Sequence, residues 1–232
     1  MLDSFEDFVA ISHGARILTS TDDFKEWGFG NSTVPIKFRN VTRKPIHIGR
    51  FCIIGAKINE KPLHDITLLD NIEMSNVKLI CAIGTPLRKR LIENTKNKGY
   101  NYDLVIHPSV IKSRWVAFGE GTIICAGNIF TSQIKVGDYS IVNLSCTIGH
   151  DVEIGKYTTI SPGVNISGRV TIGDECFIGT GVSIIEKVSI GNQSYIGAGS
   201  VVVKDIPPNV LALGVPAKPI RKLNKEDWIE LV

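Results

Sequence analysis

An aliphatic or aromatic side chain recurs at every sixth position over much of this chain, and this repeat restricts the fold strongly. The run continues through fifteen consecutive hexads without a gap. A period of six fits neither an α-helix, which repeats about every 3.6 residues, nor a simple strand meander. It predicts a triangular coil in which each hexad supplies one short strand and one corner. The repeating residues are Phe118, Ile124, Phe130, Val136, Val142, Ile148, Ile154, Ile160, Ile166, Ile172, Ile178, Ile184, Ile190, Ile196 and Val202.

Three hexads should close one turn, so residues eighteen positions apart should stack in three inner columns. The residue after the apolar one is often Gly, and we expect these glycines to allow corner angles that side chains disfavour. Four positions after the apolar residue comes a small or β-branched residue, as at Cys146 and Val164. The alternative is a β-sandwich of regularly spaced strands, against which the uninterrupted run argues.

This pattern divides the chain into four segments and predicts a mainly β fold. Residues 1–60 are an atypical N-terminal segment with hexad-like fragments, and residues 61–108 form a partial Rossmann-like α/β unit without a G-x-G-x-x-G loop. In that unit we expect strands at 77–83 and 104–106 and a helix at 87–98. The coil occupies 109–206 and ends at two prolines. Residues 207–232 form a loop and a capping tail, with a short helix from 222 and Asn224 as its N-cap.

Composition excludes several classes of protein. The formal net charge of +3 is too small to indicate binding to nucleic acid or to an anionic membrane. The first residues lack the basic and apolar regions of a secretory signal, and no apolar run is long enough to span a membrane. The five cysteines are widely spaced and form no CxxC pair. We therefore expect a reduced, cytoplasmic protein without a metal site.

One histidine lies inside the regular coil and is the candidate for chemistry. His150 holds the third position of its hexad, which should point outward, and Asp151 beside it can orient the imidazole. One turn further on stands Gly168, whose missing side chain should leave room for a substrate. Asn143, on the same turn, is a candidate hydrogen-bond donor. Its column continues through small residues that would form a strip for a long, thin ligand: Ser161, Gly179 and Gly197.

The remaining candidates have weaker patterns. His107 precedes Pro108 at the start of the coil, and a role as a structural turn residue is favoured for it. Glu186 lies two turns beyond His150, where a solvated carboxylate is the simpler interpretation. His13, His47 and His64 have no partner pattern.

The residues from about 70 to 221 resemble the sugar O- and N-acyltransferases of the sialic acid O-acetyltransferase and bacillosamine N-acetyltransferase type, a branch of the hexapeptide-repeat acyltransferases. This family has the fold of a left-handed parallel β-helix. The matching stretches are Ile83-Gly84 with Arg88, Ile106-His107-Pro108, Asn143, Ile148-Gly149-His150-Asp151, Ser161-Pro162-Gly163, Ser167-Gly168, 197–202 and 213–218.

The resemblance implies a homotrimer that binds acetyl-CoA in the groove between two prisms. His150 would be the general base that deprotonates the amine or hydroxyl of a sugar or nucleotide sugar, Asp151 would hold that base, and Asn143 would line the acceptor pocket. The implied contacts to the pantetheine arm are Gly168, Thr180 and Ala198. The region around Pro216 and Lys218 would lie near the adenine and 3′-phosphate, with further phosphate contacts from Arg221 and Lys222.

This chain departs from the family pattern at two places. Thr159 stands where many members carry a second histidine, which affects how the acceptor is activated. The usual N-terminal sugar-nucleotide domain is replaced, since residues 12–56 instead resemble part of a maltose/galactoside acetyltransferase. The acceptor, and the choice between N- and O-transfer, therefore stay open.

We expect the acyl transfer to take part in surface polysaccharide biosynthesis. Two other functions are alternatives to acyl transfer. A metal-dependent hydratase on the same coil, as in γ-class carbonic anhydrases, needs three converging histidines, and the coil offers one. A non-catalytic β-helical scaffold or inactive paralogue is the other alternative, and it would not bind acetyl-CoA.

Overall fold

The computed structural model of the chain describes residues 78–224 and residue 227, together with the backbone of five short strands nearer the N-terminus. The predictions for residues 1–60 otherwise lie outside the described residues. The five strands are β1 (Ser4–Phe5), β2 (Thr21–Asp22), β3 (Val41–Thr42), β4 (His47–Ile48) and β5 (Phe51–Ile53). β1 pairs with β4 in parallel, and β2 pairs with β3 antiparallel.

A left-handed parallel β-helix with three flat faces forms the body of the molecule, as the sequence predicted. Face A is built from β8 (Val105–Ile106), β11 (Ile123–Ile124), β14 (Ile141–Val142), β17 (Thr159–Ile160), β20 (Phe177–Ile178) and β23 (Tyr195–Ile196). Face B is built from β9 (Ile111–Lys112), β12 (Ile129–Phe130), β15 (Thr147–Ile148), β18 (Asn165–Ile166), β21 (Ser183–Ile184) and β24 (Val201–Val202). Face C is built from β10 (Val116–Phe118), β13 (Ile134–Val136), β16 (Glu153–Ile154), β19 (Thr171–Ile172) and β22 (Ser189–Ile190).

The pairing register confirms the eighteen-residue turn. Val142 pairs with Ile160 on face A, and Ile148 pairs with Ile166 on face B. The repeating apolar residues line the interior and are buried, except that Phe118 at one end is partly exposed and packs edge-on against Phe130. Each such burial stabilises the fold by about 1.5–3 kcal/mol. The hydrophobic effect along three stacked columns therefore holds the coil together.

The glycines that follow the apolar residues serve a different purpose from the one predicted. A Cβ on Gly137 would lie 2.7 Å from the carbonyl carbon of Gly155, and one on Gly149 would lie 2.6 Å from the amide nitrogen of Gly168. These glycines are needed because successive coils approach closely at the corners. The left-handed backbone angle occurs two residues later, at positions such as Tyr139 and Asp151.

A small α/β unit covers the outer side of face A. β6 (Lys78–Ile80) is followed by the helix α1 (Arg88–Asn97) and by β7 (Asn101–Tyr102), which pairs with β6 in parallel, as β5 also does. The strand predicted at 104–106 is present as β8, but its assignment to this unit was wrong, because Val105 and Ile106 pair with β11 and begin face A. Ile80 packs on Ile123 and Ile141, which shields these outward-facing residues from water.

The C-terminal part extends face A beyond the prolines. β25 (Val210–Gly214) pairs with β23 in parallel, and β26 (Ala217–Lys222) returns antiparallel beside it. The side chain of Asn224 accepts a hydrogen bond from the amide of Asp227 at 3.0 Å, and Asp227 accepts one from the amide of Asn224 at 2.7 Å. This reciprocal pair is the geometry of a capping box and fits the predicted role of Asn224.

Candidate functional site

The three edges of the prism carry the outward-pointing polar side chains. Edge AB joins faces A and B, edge BC joins faces B and C, and edge CA joins faces C and A. His150 and Asp151 follow β15 and therefore lie on edge BC. Asn143 follows β14 and lies on edge AB. The width of face B thus separates His150 from Asn143 within one chain.

His150 and Asp151 form a hydrogen-bonded pair on the surface. Nδ1 of His150 lies 2.7 Å from Oδ2 of Asp151, and the two side chains are 55% and 45% exposed. An ionised carboxylate only accepts, so in the neutral imidazole this contact assigns the proton to Nδ1 and the lone pair to Nε2. Asp151 has a left-handed backbone (φ 55°) and its amide donates to the carbonyl of Ser132 at 3.0 Å. The corner geometry of the coil thus presents an imidazole with one basic nitrogen.

The imidazole ring lies directly over Gly168 on the next coil. A Cβ at Gly168 would meet Nε2 of His150 at 2.6 Å and Cε1 at 2.7 Å. The expectation that Gly168 leaves room for a substrate was therefore wrong, because the imidazole of His150 fills that space. A small residue is required here because it lets the ring lie flat along the edge.

The predicted strip of small residues on edge AB is closed. A Cβ on Gly179 would clash with the backbone of the next coil, and one on Gly197 would clash with the side chain of Leu213. Ser161 in the same column is buried. The prediction of a ligand strip here was wrong, because neighbouring coils already pack over these residues.

The predicted ligand contacts divide between the two edges of face B. Thr180 and Ala198 are exposed on edge AB, whereas Gly168 lies on edge BC. The side chain of Asn143 accepts a hydrogen bond from the amide of Leu144 at 2.8 Å. Pro216 and Lys218 are exposed in the β25–β26 hairpin beyond edge AB. One copy of the chain brings Gly168 to His150, but the groups on edge AB and in the hairpin lie apart from both.

Arg88 is a buried residue whose role the sequence analysis missed. It is 1% exposed, and its guanidinium donates to the carbonyls of Tyr139 at 2.9 Å and Thr158 at 3.0 Å and to the hydroxyl of Thr159 at 2.7 Å. Burial lowers the pKa of Arg88 to about 10, so the group stays charged at neutral pH. Thr159 therefore helps to fasten α1 to face A. The sequence could have indicated this role, because Arg88 lies in the predicted helix next to its apolar face.

The other candidates behave as ordinary surface groups. Nδ1 of His107 accepts a hydrogen bond from the amide of Ser109 and contacts its hydroxyl at 2.8 Å, a local turn. Glu186 is exposed on edge BC. Within residues 78–224 and 227, no three His, Cys, Asp or Glu side chains gather as a metal site would require. In the same part of the chain, no helix has the length and apolar character needed to cross a membrane.

A family model supports the resemblance. The model for bacterial transferase hexapeptide (six repeats) matches residues 169–204. No curated protein matches the chain significantly in sequence.

Solved structures match a larger part of the chain than the family model does. A variant of perosamine N-acetyltransferase from Caulobacter crescentus, in complex with CoA and GDP-perosamine, is 32% identical, with 74% of this chain and 85% of that chain covered and a TM-score of 0.67. WeeI from Acinetobacter baumannii AYE is 27% identical over 71% of this chain and 81% of its own, with a TM-score of 0.64. The acetyltransferase domain of PglB from Neisseria gonorrhoeae FA1090, in complex with acetyl coenzyme A, is 28% identical over 71% and 82%, with a TM-score of 0.52.

Proposed function

Because the chain belongs to the hexapeptide-repeat sugar acyltransferases, we propose that it transfers an acetyl group from acetyl-CoA to an amine or hydroxyl of a sugar or nucleotide sugar. The observation that carries this proposal is the exposed imidazole of His150, whose Nδ1 is bonded to Asp151. Similar structures hold CoA with GDP-perosamine, or acetyl coenzyme A, which supports the choice of both substrates. A cytoplasmic location and a role in surface polysaccharide synthesis belong to the same proposal.

In the proposed reaction, Nε2 of His150 removes a proton from the acceptor amine or hydroxyl as that group attacks the thioester carbonyl. The tetrahedral intermediate then collapses, the carbon–sulfur bond breaks, and the CoA thiolate takes the proton back from the imidazolium. Asp151 stabilises the imidazolium through the Nδ1 hydrogen bond. Acetyl moves from sulfur to nitrogen or oxygen, and no oxidant or metal is needed.

The division of the ligand contacts between two edges supports a homotrimer. If three copies turn face B toward a threefold axis, edge BC of one copy meets edge AB of the next, and the ring closes. Exposed apolar residues lie on face B and its edges, where such packing would cover them: Ile111, Ile129, Leu144 and Ile185.

In this arrangement acetyl-CoA lies in the cleft between copies. Gly168 comes from one copy, and Thr180 and Ala198 come from the next. Asn143 of that neighbouring copy then lies across the cleft from His150 and lines the acceptor site. Pro216 and Lys218 take the adenine and 3′-phosphate end, as the family resemblance implies.

The direct test is acetyl transfer measured as release of free thiol from acetyl-CoA across a panel of amino sugars, sugars and nucleotide sugars. His150→Ala should lower kcat by about 10²–10⁴, the usual contribution of a general base. Lys156→Ala is the matched control, because Lys156 holds the same exposed hexad position on edge CA and pairs there with Asp138.

The alternative of a non-catalytic scaffold gives different results. A scaffold would show neither transfer nor acetyl-CoA binding by calorimetry. Activity of His150→Ala within about threefold of wild type would remove His150 from the mechanism.

A further inference from the structure

Leu211 is a buried residue on the outer side of face A, at the end of the face away from the α/β unit. It continues the outward-facing column of Ile141 and pairs in register with Tyr195, yet it is only 8% exposed. Four strand spacings, about 19 Å, separate it from Ile141, where Ile80 covers the face. Among residues 78–224 and 227, Leu211 is the one buried apolar side chain that belongs to none of the three apolar clusters.

Two half-buried aromatic side chains adjoin Leu211 in the same column. The rings of Phe177 and Tyr195 stack with their centroids 4.7 Å apart and their planes 12° apart. Phe177, Tyr195 and Leu211 together form an apolar surface on face A, which we call the outer patch. Apolar surface of this kind is stabilised when another segment covers it.

The chain turns back toward the outer patch after β26. Arg221 pairs directly with Leu211, so the two side chains lie on the same side of the sheet. The guanidinium of Arg221 donates to the carboxylate of Asp227 at 2.6 Å, and the Asp227 side chain is only 14% exposed. Asp227 lies in a helical turn whose cap is Asn224. The ion pair therefore places the first turn of this helix on the outer side of face A, beside Leu211.

The sequence from 225 to 232, which we call the tail, is amphipathic at helical spacing. Its apolar residues are three or four positions apart and share one side of a helix, whereas its acidic residues share the other. The apolar residues are Trp228, Ile229, Leu231 and Val232. Eight helical residues extend about 12 Å, enough to cover the two strand spacings of the outer patch. The family resemblance covers residues up to about 221 and implies nothing about the tail.

We propose that the apolar side of the tail packs on the outer patch and holds the β25–β26 hairpin against face A. β26 is the outermost strand of its sheet and pairs with one neighbour, so a segment packed across its outer side restrains it. The inference rests on the proposed function at one point, because the hairpin carries Lys218, which is proposed to bind the phosphate end of acetyl-CoA. The tail is then a positioning element for Lys218 and takes no part in proton transfer at His150.

Packing of the tail is tested without any substrate by a double-mutant cycle on the full chain. Trp228→Ala, Tyr195→Ala and the double variant are unfolded in urea at one protein concentration. If the two side chains pack together, the effects on the unfolding equilibrium constant should be non-additive by at least about fivefold. Trp115→Ala combined with Tyr195→Ala is the matched control and should be additive, because Trp115 is 60% exposed and lies on edge BC.

The positioning role is tested by kinetics of the same variants. Trp228→Ala should raise the KM for acetyl-CoA at least about fivefold and leave kcat within about twofold, and Trp228→Phe should restore most of the affinity. Trp115→Ala should change neither parameter. Packing without a change in KM would disprove the positioning role.

The remaining outcomes identify another occupant of the outer patch. An additive cycle would mean that a different segment covers Leu211, and a lower mass of Trp228→Ala by light scattering would mean that the tail contacts a neighbouring copy. Either result would overturn the proposal. A wild-type chain that releases no thiol from acetyl-CoA would disprove the proposed function alone, since the cycle measures the tail contact without substrate.

Discussion

Single residues at the corners decide where chemistry takes place on this coil. The hexad position alone predicted that His150 points outward and stands next to Asp151, and the structure shows their hydrogen bond at 2.7 Å. The position of Gly168 one coil beyond His150 was also predicted, but its contact with the imidazole ring was not. Sequence spacing places two residues one above the other without showing how far an imidazole leans along the edge.

The contact between His150 and Gly168 leads to the first prediction. Gly168→Ala places a methyl group 2.6 Å from Nε2, which is too close for two heavy atoms, so the ring must rotate away and kcat should fall at least about tenfold. Gly84→Ala is the control, because a Cβ there meets nothing within 4 Å. Thiol-release kinetics and thermal unfolding would be measured on both variants. An active Gly168→Ala variant with unchanged kcat would show that the ring position is unimportant.

The second prediction concerns Asp151. Asp151→Asn keeps the size of the side chain but removes the negative charge beside the imidazolium, so kcat should fall by about 10- to 100-fold while the KM for acetyl-CoA changes little. Steady-state kinetics with acetyl-CoA varied at saturating acceptor would separate the two parameters. A rise in KM with unchanged kcat would assign Asp151 to cosubstrate binding instead.

At the scale of elements, the repeat predicted the stacked strands from β10 to β24 because one physical requirement, burial of every sixth residue, recurs along the coil. β8 and β9 precede the first of these hexads, and the repeat did not predict them. The α/β unit was predicted less well. β7 has two residues and carries no periodic pattern, whereas residues 104–106 are apolar because they start face A. Short strands outside the repeat therefore depend on pairings that local sequence does not encode.

The docking of α1 gives the third prediction. Arg88→Met removes a buried guanidinium and leaves the carbonyl of Tyr139 without this donor, so the free energy of unfolding should fall by about 1–3 kcal/mol. Arg90→Met is the control on the same helix, because Arg90 is exposed. Urea unfolding followed by circular dichroism would measure both. Equal stability of the two variants would mean that α1 does not depend on Arg88.

At the scale of the whole molecule, the division of candidate residues between edges AB and BC is the property that the sequence could not reveal. The repeat predicted the column in which each residue lies. The family resemblance implied one binding site between two prisms, but it did not say which copy of the chain supplies each residue. The structure shows that Thr180 and His150 lie on opposite edges of face B. A site that needs both edges is complete only when copies assemble.

The fourth prediction follows from the apolar surface of face B. Ile129, which is 42% exposed, should be covered in a trimer, so Ile129→Glu should release monomers because it buries a charge at the contact. Ser189→Glu on face C is the control and should leave the trimer intact. Light scattering coupled to size-exclusion chromatography gives the mass of each variant. A trimeric Ile129→Glu protein would exclude face B as the contact surface.

Complementation between two inactive variants tests most directly that His150 acts with the opposite edge of a neighbouring copy. Thr180→Arg should block the edge AB side of the cleft, and His150→Ala removes the base. When the two are unfolded, mixed equally and refolded, each mixed trimer regains one intact cleft, and activity should return to about a quarter of wild type. Mixed trimers, verified by native mass spectrometry, that stay as inactive as the two parent proteins would contradict the shared site.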